Sequence, residues 1–208
     1  MIEFNFRTFG QIAVCTVLVA FVVFTGCQEG PKRPSFNPGK SAEDAIQKYD
    51  SDGDGQLSTE EVAECPGLLA ALERVDADGN GSVSYDEIEK RVKYYKSAPV
   101  IVVSGSVKVT HKGKPLSDAK ITFEPEDFLG DDFKPCSGVT NDRGEAYVNR
   151  DVDAKYPGLY LGFYRVKISK LDKGKEKIPA EYNTESTLGH EAAADIEMVS
   201  DVPTFHLK

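Results

Sequence analysis

Residues 50–61 read Asp-Ser-Asp-Gly-Asp-Gly-Gln-Leu-Ser-Thr-Glu-Glu, and residues 76–87 repeat the pattern as Asp-Ala-Asp-Gly-Asn-Gly-Ser-Val-Ser-Tyr-Asp-Glu. In both runs an oxygen-bearing side chain stands first, third and fifth, a glycine sixth and a glutamate twelfth. A hard divalent cation such as Ca²⁺ takes about six to eight oxygens at roughly 2.3–2.6 Å, and this spacing folds them around one point. In the first run Asp50, Asp52 and Asp54 offer carboxylates, Gln56 its backbone carbonyl and Glu61 both carboxylate oxygens, with Ser58 where a water bridges. In the second, Asp76, Asp78, Asn80, the Ser82 carbonyl and Glu87 fill the same roles. Gly55 and Gly81 take the sharp turn that a side chain would obstruct. The spacing predicts two Ca²⁺ sites.

Positioning these ligands needs a helix before and after each loop, and Leu57 and Val83, eighth in each run, to pair the two loops. The arrangement resembles an EF-hand pair at every position the motif specifies. Ser41 reads as the N-cap of the first entering helix, whose apolar face is Ala45, Ile46 and Tyr49. Only 14 residues, Val62–Val75, separate the loops, and Pro66-Gly67 divides them. The second entering helix is therefore expected near Leu68–Val75, burying Leu68, Leu69, Leu72 and Val75. The last helix buries Ile88, Val92 and Tyr95 and ends before Pro99. So short a middle leaves little room for the opening that sensor EF-hands perform, which favours static, structural calcium.

Upstream, Ile12–Phe24 is an unbroken apolar run preceded by Arg7 and followed by Thr25-Gly26-Cys27. Its 13 residues would span about 20 Å as a helix, too little for a hydrocarbon core of about 30 Å. That length fits the apolar region of a secretory signal. Phe24-Thr25-Gly26-Cys27 resembles a bacterial lipobox, which implies lipidation of Cys27 and an exported, membrane-anchored chain facing the periplasm or cell surface. Residues 28–40 carry Pro31, Pro34 and Pro38 and are expected to be an extended tether with a reach of up to about 40 Å.

From Val100 the texture changes to short β-branched or alternating runs: 100–109, 119–125, 136–140, 145–148, 160–169, 194–199 and 203–207. Their number and spacing predict an antiparallel β-sandwich. Val103-Ser104-Gly105-Ser106-Val107, Gly113-Lys114-Pro115-Leu116, Thr140-Asn141-Asp142-Arg143-Gly144-Glu145-Ala146-Tyr147 and Tyr164-Arg165-Val166-Lys167-Ile168-Ser169 resemble the carboxypeptidase regulatory-like, transthyretin-like domain. The resemblance implies a prealbumin-like Greek-key sandwich; it does not imply peptidase activity. The expected fold class is thus α+β in separate domains: signal 1–27, tether 28–40, an all-α EF-hand pair 41–98 and a β-sandwich 99–208. No residue from Val100 onward supplies a ligand, so the β region is expected to respond little to calcium.

The formal charge of −9 over 208 residues argues against nucleic acid as a partner. Residues 41–98 hold 14 Asp and Glu against 6 Lys and Arg, a net −8. The three histidines, His111, His190 and His206, show no metal-ligand spacing, and His190-Glu191 reads as a solvated loop. No phosphate loop or nucleophile elbow occurs, and Ser104 and Ser106 lie in a predicted strand, so no catalytic residue is assigned. Cys65 and Cys136 either bridge the two domains or stay as free thiols; sequence leaves both open. The expected function is a calcium-binding, lipid-anchored cell-envelope protein acting as a non-enzymatic structural or binding module. A calcium-responsive regulator, or an accessory subunit with an envelope protein partner, is the alternative.

Overall fold

The computed structural model describes residues 30–150, 156–196 and 202–208. The expected signal segment, 1–27, and its expected lipidation site Cys27 lie outside them. Helix α1 runs from Pro38 to Tyr49, and Asn37 caps it, its side chain accepting from the N–H of Gly39 and Lys40. The cap lies four residues earlier than the expected Ser41 because Asn-Pro is itself an N-cap followed by a favoured first-turn proline. Residues 32–37 are docked rather than free. Arg33 donates to the Tyr95 and Ala98 carbonyls, Tyr160 Oη to the Lys32 carbonyl, and Ser35 N–H to Asp132. Phe36 meets the Phe133 ring edge-on at 5.3 Å.

After the first loop come strand β1 (Gln56–Leu57) and single-turn helices α2 (Thr59–Val62), α3 (Pro66–Leu69) and α4 (Leu72–Val75). The expected second entering helix is broken between α3 and α4, with Ala70 exposed and Leu69 and Leu72 only half-buried. The second loop leads to strand β2 (Val83–Ser84) and helix α5 (Tyr85–Ser97). α5 buries Ile88, Val92 and Tyr95 as its 3.6-residue period requires.

The remainder is β-rich. Its strands are β3 (Val102–Val103), β4 (Ser106–His111), β5 (Lys114–Pro115), β6 (Lys120–Pro125), β7 (Cys136–Val139), β8 (Glu145–Tyr147) and β9 (Leu159–Tyr160). They continue as β10 (Gly162–Ser169), β11 (Leu171–Asp172), β12 (Lys175–Glu176), β13 (Gly189–Ala192) and β14 (Thr204–Leu207). One sheet has the antiparallel order β13-β10-β6-β7; the other has order β14-β4-β5 with β8 also on β4. The expectation of wholly antiparallel pairing fails at one place, since β14 runs parallel to β4. Their apolar faces meet in one cluster that includes Val107, Val109, Ile121, Phe123, Val166, Ile168 and Leu207. The expected strand at 194–199 is absent over 194–196, and 197–199 lie outside the described residues. The strand lies instead at β13, where His190 is half-buried and Glu191 buried, so the solvated-loop reading of His190-Glu191 is corrected.

The helical and β-rich regions follow one another as expected, but they are not separately packed. A second cluster joins Ala45, Leu68, Val75, Ile88, Val92 and Tyr95 of the helices to Phe128, Leu129, Phe133, Leu161, Phe163 and Ala193 of the β region. Burial of each large apolar side chain contributes about 1.5–3 kcal/mol, so the helices owe part of their core to the β region, whose own sheet-on-sheet cluster contains no residue of α1–α5. Two glycines set the contact distance. A Cβ on Gly189 would lie 1.6 Å from the Pro66 carbonyl oxygen, and one on Gly67 2.6 Å from the Tyr164 nitrogen. α3 therefore rests directly on the backbone of β13 and β10. Cys65 and Cys136 are both free and buried, and they belong to different clusters. The bridge left open by the sequence is absent.

Candidate metal centre

Each loop is drawn closed by its own backbone. Asp50 accepts from the N–H of Gly53 at 2.7 Å and of Gly55 at 2.9 Å. Asp76 does the same from Gly79 at 2.8 Å and Gly81 at 2.9 Å. These bonds need Gly55 and Gly81 at φ 86° and 84°, a left-handed turn that L side chains rarely adopt. Antiparallel pairing of Leu57 with Val83 and of Gln56 with Ser84 locks the loops together, and Leu57 and Val83 are fully buried. Thr59 Oγ1 donates to the Gly81 carbonyl at 2.9 Å and adds a second tie between them.

One carboxylate oxygen from each of Asp50, Asp52 and Asp54 lies within 4.8 Å of the others, and the same holds for Asp76, Asp78 and Glu87. Among the described residues, none of these six is in a salt bridge with Lys or Arg. Like charges gathered without a counter-charge suit a divalent cation, and a donor set of oxygens alone suits Ca²⁺ or Mg²⁺ rather than a softer metal. The other expected ligands sit close by. Gln56 N–H donates to Asp54 Oδ1 at 2.8 Å, while Asn80 Oδ1 accepts from Ser82 N–H at 2.7 Å.

The two twelfth-position glutamates differ. Each closes a capping box at the start of the exiting helix, Glu61 with Ser58 and Glu87 with Ser84. Glu87 is in the second carboxylate group; Glu61 is not in the first. Glu61 Oε1 accepts from Ser51 N–H at 2.7 Å and from Ser51 Oγ at 2.8 Å, whereas Glu87 Oε1 meets only the Ala77 N–H at that position, at 2.8 Å. The Ser51 hydroxyl thus gives Glu61 a bond that the Ala77 side chain cannot give Glu87. Ser58 N–H, followed by the Ser51 hydroxyl and N–H, brings the Glu61 carboxyl down to about 2. The N–H of Gly81, ahead of those of Gly79 and Asn80, lowers Asp76. Burial works against ionisation of Glu87, but the Ser84 and Ala77 donors outweigh it and leave its pKa lowered. All three stay ionised at neutral pH, as a cation requires. The spacing that identified the ligands also held the Ser-x-x-Glu caps; the role of Ser51 had no signal beyond its hydroxyl.

The EF hand family model matches residues 42–65 and 69–93, covering both loops and most of α1 and α5. These residues form an EF-hand pair. The match ends before the β-rich region, and no curated protein matches the chain. EF hands bind calcium, and the acidic clusters of both loops are consistent with it.

Proposed function

We propose that this chain binds two Ca²⁺ ions and serves as a lipid-anchored, non-enzymatic structural or binding module of the cell envelope. The observation that carries the reading is the pair of uncompensated carboxylate groups, Asp50/Asp52/Asp54 and Asp76/Asp78/Glu87, inside the matched loops. In this reading the first ion is held by Asp50, Asp52, Asp54, the Gln56 carbonyl and Glu61. The second is held by Asp76, Asp78, Asn80, the Ser82 carbonyl and Glu87. The ion supplies charge neutralisation, which relieves the repulsion each group otherwise carries.

A structural rather than a signalling role is supported by what covers the helices. Their apolar faces are filled by Phe128, Leu129, Phe133, Leu161 and Phe163 of the same chain, which occupy the surface a target helix would need. The resemblance of residues 99–208 to carboxypeptidase regulatory-like domains supports a binding or scaffolding module for the β region. The lipobox supports anchoring through Cys27 and a position at the periplasmic or outer surface. Calorimetric titration of the full chain with Ca²⁺ tests the core of the reading. Two equivalents are expected, with Glu61→Gln and Glu87→Gln each removing one. No binding to the unaltered chain would end it. Metabolic labelling with a clickable fatty acid, absent in Cys27→Ser, tests the anchor.

A further inference from the structure

Both helices that bound the second loop send an arginine to a single carboxylate of the β region. Arg74, two residues before Asp76, donates its Nε–H to Glu191 Oε2 at 2.5 Å. Arg91, four residues after Glu87, donates its Nε–H to Glu191 Oε1 at 2.5 Å. The Tyr95 hydroxyl donates to the same Oε1. Arg91 is fixed in turn by Asp195, its two terminal nitrogens lying 2.6 and 2.9 Å from the carboxylate oxygens. The Glu191 side chain is 0 % exposed. A buried carboxylate so held resists displacement of any partner, because breaking one contact strands a charge out of water.

We infer that Glu191 is a positioning residue for cation binding at the second loop. It fixes α4 relative to α5 and so holds Asp76 and Asp78, on the entering side, within reach of Glu87 on the exiting side. The inference rests on the calcium reading above. Its direction comes from the geometry: with both arginines on Glu191, the oxygens of Asp76, Asp78 and Glu87 lie within 4.8 Å of one another. The arrangement that Glu191 fixes is the gathered one. The first loop has a weaker counterpart in Glu126, which accepts from Tyr49 Oη at 3.4 Å and from Gly67 N–H at 3.0 Å, with no arginine bonded to it. Loss of Glu191 should therefore be felt at one loop and not the other. Reciprocally, a cation in the second loop should tighten the seat of α4 and α5 on β13, because coupling between two equilibria acts equally in both directions.

The test uses the full chain with one loop silenced at a time. In a Glu61→Gln background only the second loop reports; in a Glu87→Gln background only the first does. Adding Glu191→Gln should raise the Ca²⁺ dissociation constant about tenfold in the first background and leave it within about twofold in the second. Arg74→Gln, at the more exposed end of the network, keeps Arg91 and Tyr95 on Glu191. It should give a smaller loss, about threefold, confined to the same loop. It also decides the matter if Glu191→Gln fails to fold. Unchanged affinity at the second loop, or an equal loss at both, would overturn the positioning role. Absence of binding in both parent backgrounds would instead overturn the calcium reading itself.

Discussion

Replacing Phe163 by alanine should loosen the EF-hand helices although Phe163 lies on β10. Its side chain is fully buried, with the Tyr95 ring edge-on at 5.3 Å and the Phe128 ring at 5.9 Å. Truncating a buried Phe to Ala costs about 3–5 kcal/mol, the transfer of the ring plus the cavity it leaves. Within that total the two ring pairs account for about 0.5–1.5 kcal/mol each. Set against a typical domain stability of about 5–15 kcal/mol, the loss is about a fifth of the whole or more. Because Tyr95 and Phe128 come from opposite sides of the shared cluster, the loss cannot stay in the sheet. Amide hydrogen exchange read by mass spectrometry resolves this. The slowest amides of α1, α5, β6 and β10 should all exchange roughly a hundredfold faster or more, and together. If β10 and β6 open while α1 and α5 keep their original protection, the two regions fold independently and the shared-core argument is refuted.

Ser51→Ala should release Glu61 Oε1 and raise the Ca²⁺ affinity of the first loop by roughly fivefold, the worth of one net hydrogen bond, as read by calorimetry in a Glu87→Gln background. Cys65 and Cys136 should resist alkylation in the native chain and both react in denaturant. Burial pushes the Cys136 thiol up to about 12 and Cys65 higher still, so native labelling at neutral pH would contradict their placement. Burial against Phe123 brings His190 down to about 4. Between its ordinary value near 6.5 and 4, the unfolded chain binds a proton that the folded chain refuses, so stability should fall as pH drops through that window. The expected size is about 1–2 kcal/mol. His190→Gln should flatten urea midpoints measured from pH 7 to 5, while the lowered carboxyls of Glu61, Asp76 and Glu87 act only below their ordinary range, near 4 to 4.5.

The loops were legible because chelation is local. Six ligand positions within twelve residues are fixed by short backbone turns, and Gly55 and Gly81 adopt the positive φ that the spacing demands. The strands of the main sheets were legible where one face is buried, as in the alternation of Tyr164, Val166 and Ile168 on β10. Legibility failed where burial came from distant sequence. Nothing near His190-Glu191 announces that Arg74, Arg91 and Tyr95 will surround the carboxylate, so a polar segment read as solvated. The break at Ala70–Ala71 follows from α3 seating on Gly189, a contact 119 positions away in the chain. Asn37-Pro38 was a different miss: a helix start was in plain view but read as one more proline of a tether.

That tether has a mechanical side. Thirteen extended residues would reach about 40 Å, whereas residues 32–37 are held against the fold and add nothing to such a reach. A force applied at the N-terminal end meets the Lys32 carbonyl's bond to Tyr160 and then Arg33, which grips the Tyr95 and Ala98 carbonyls at the C-terminal end of α5. The same α5 holds Glu87 in its first turn and carries Arg91 to Glu191. Tension on the leash would thus run along one helix straight to the closing ligand of the second loop. A bound ion there would act as a rivet at the far end of the strut.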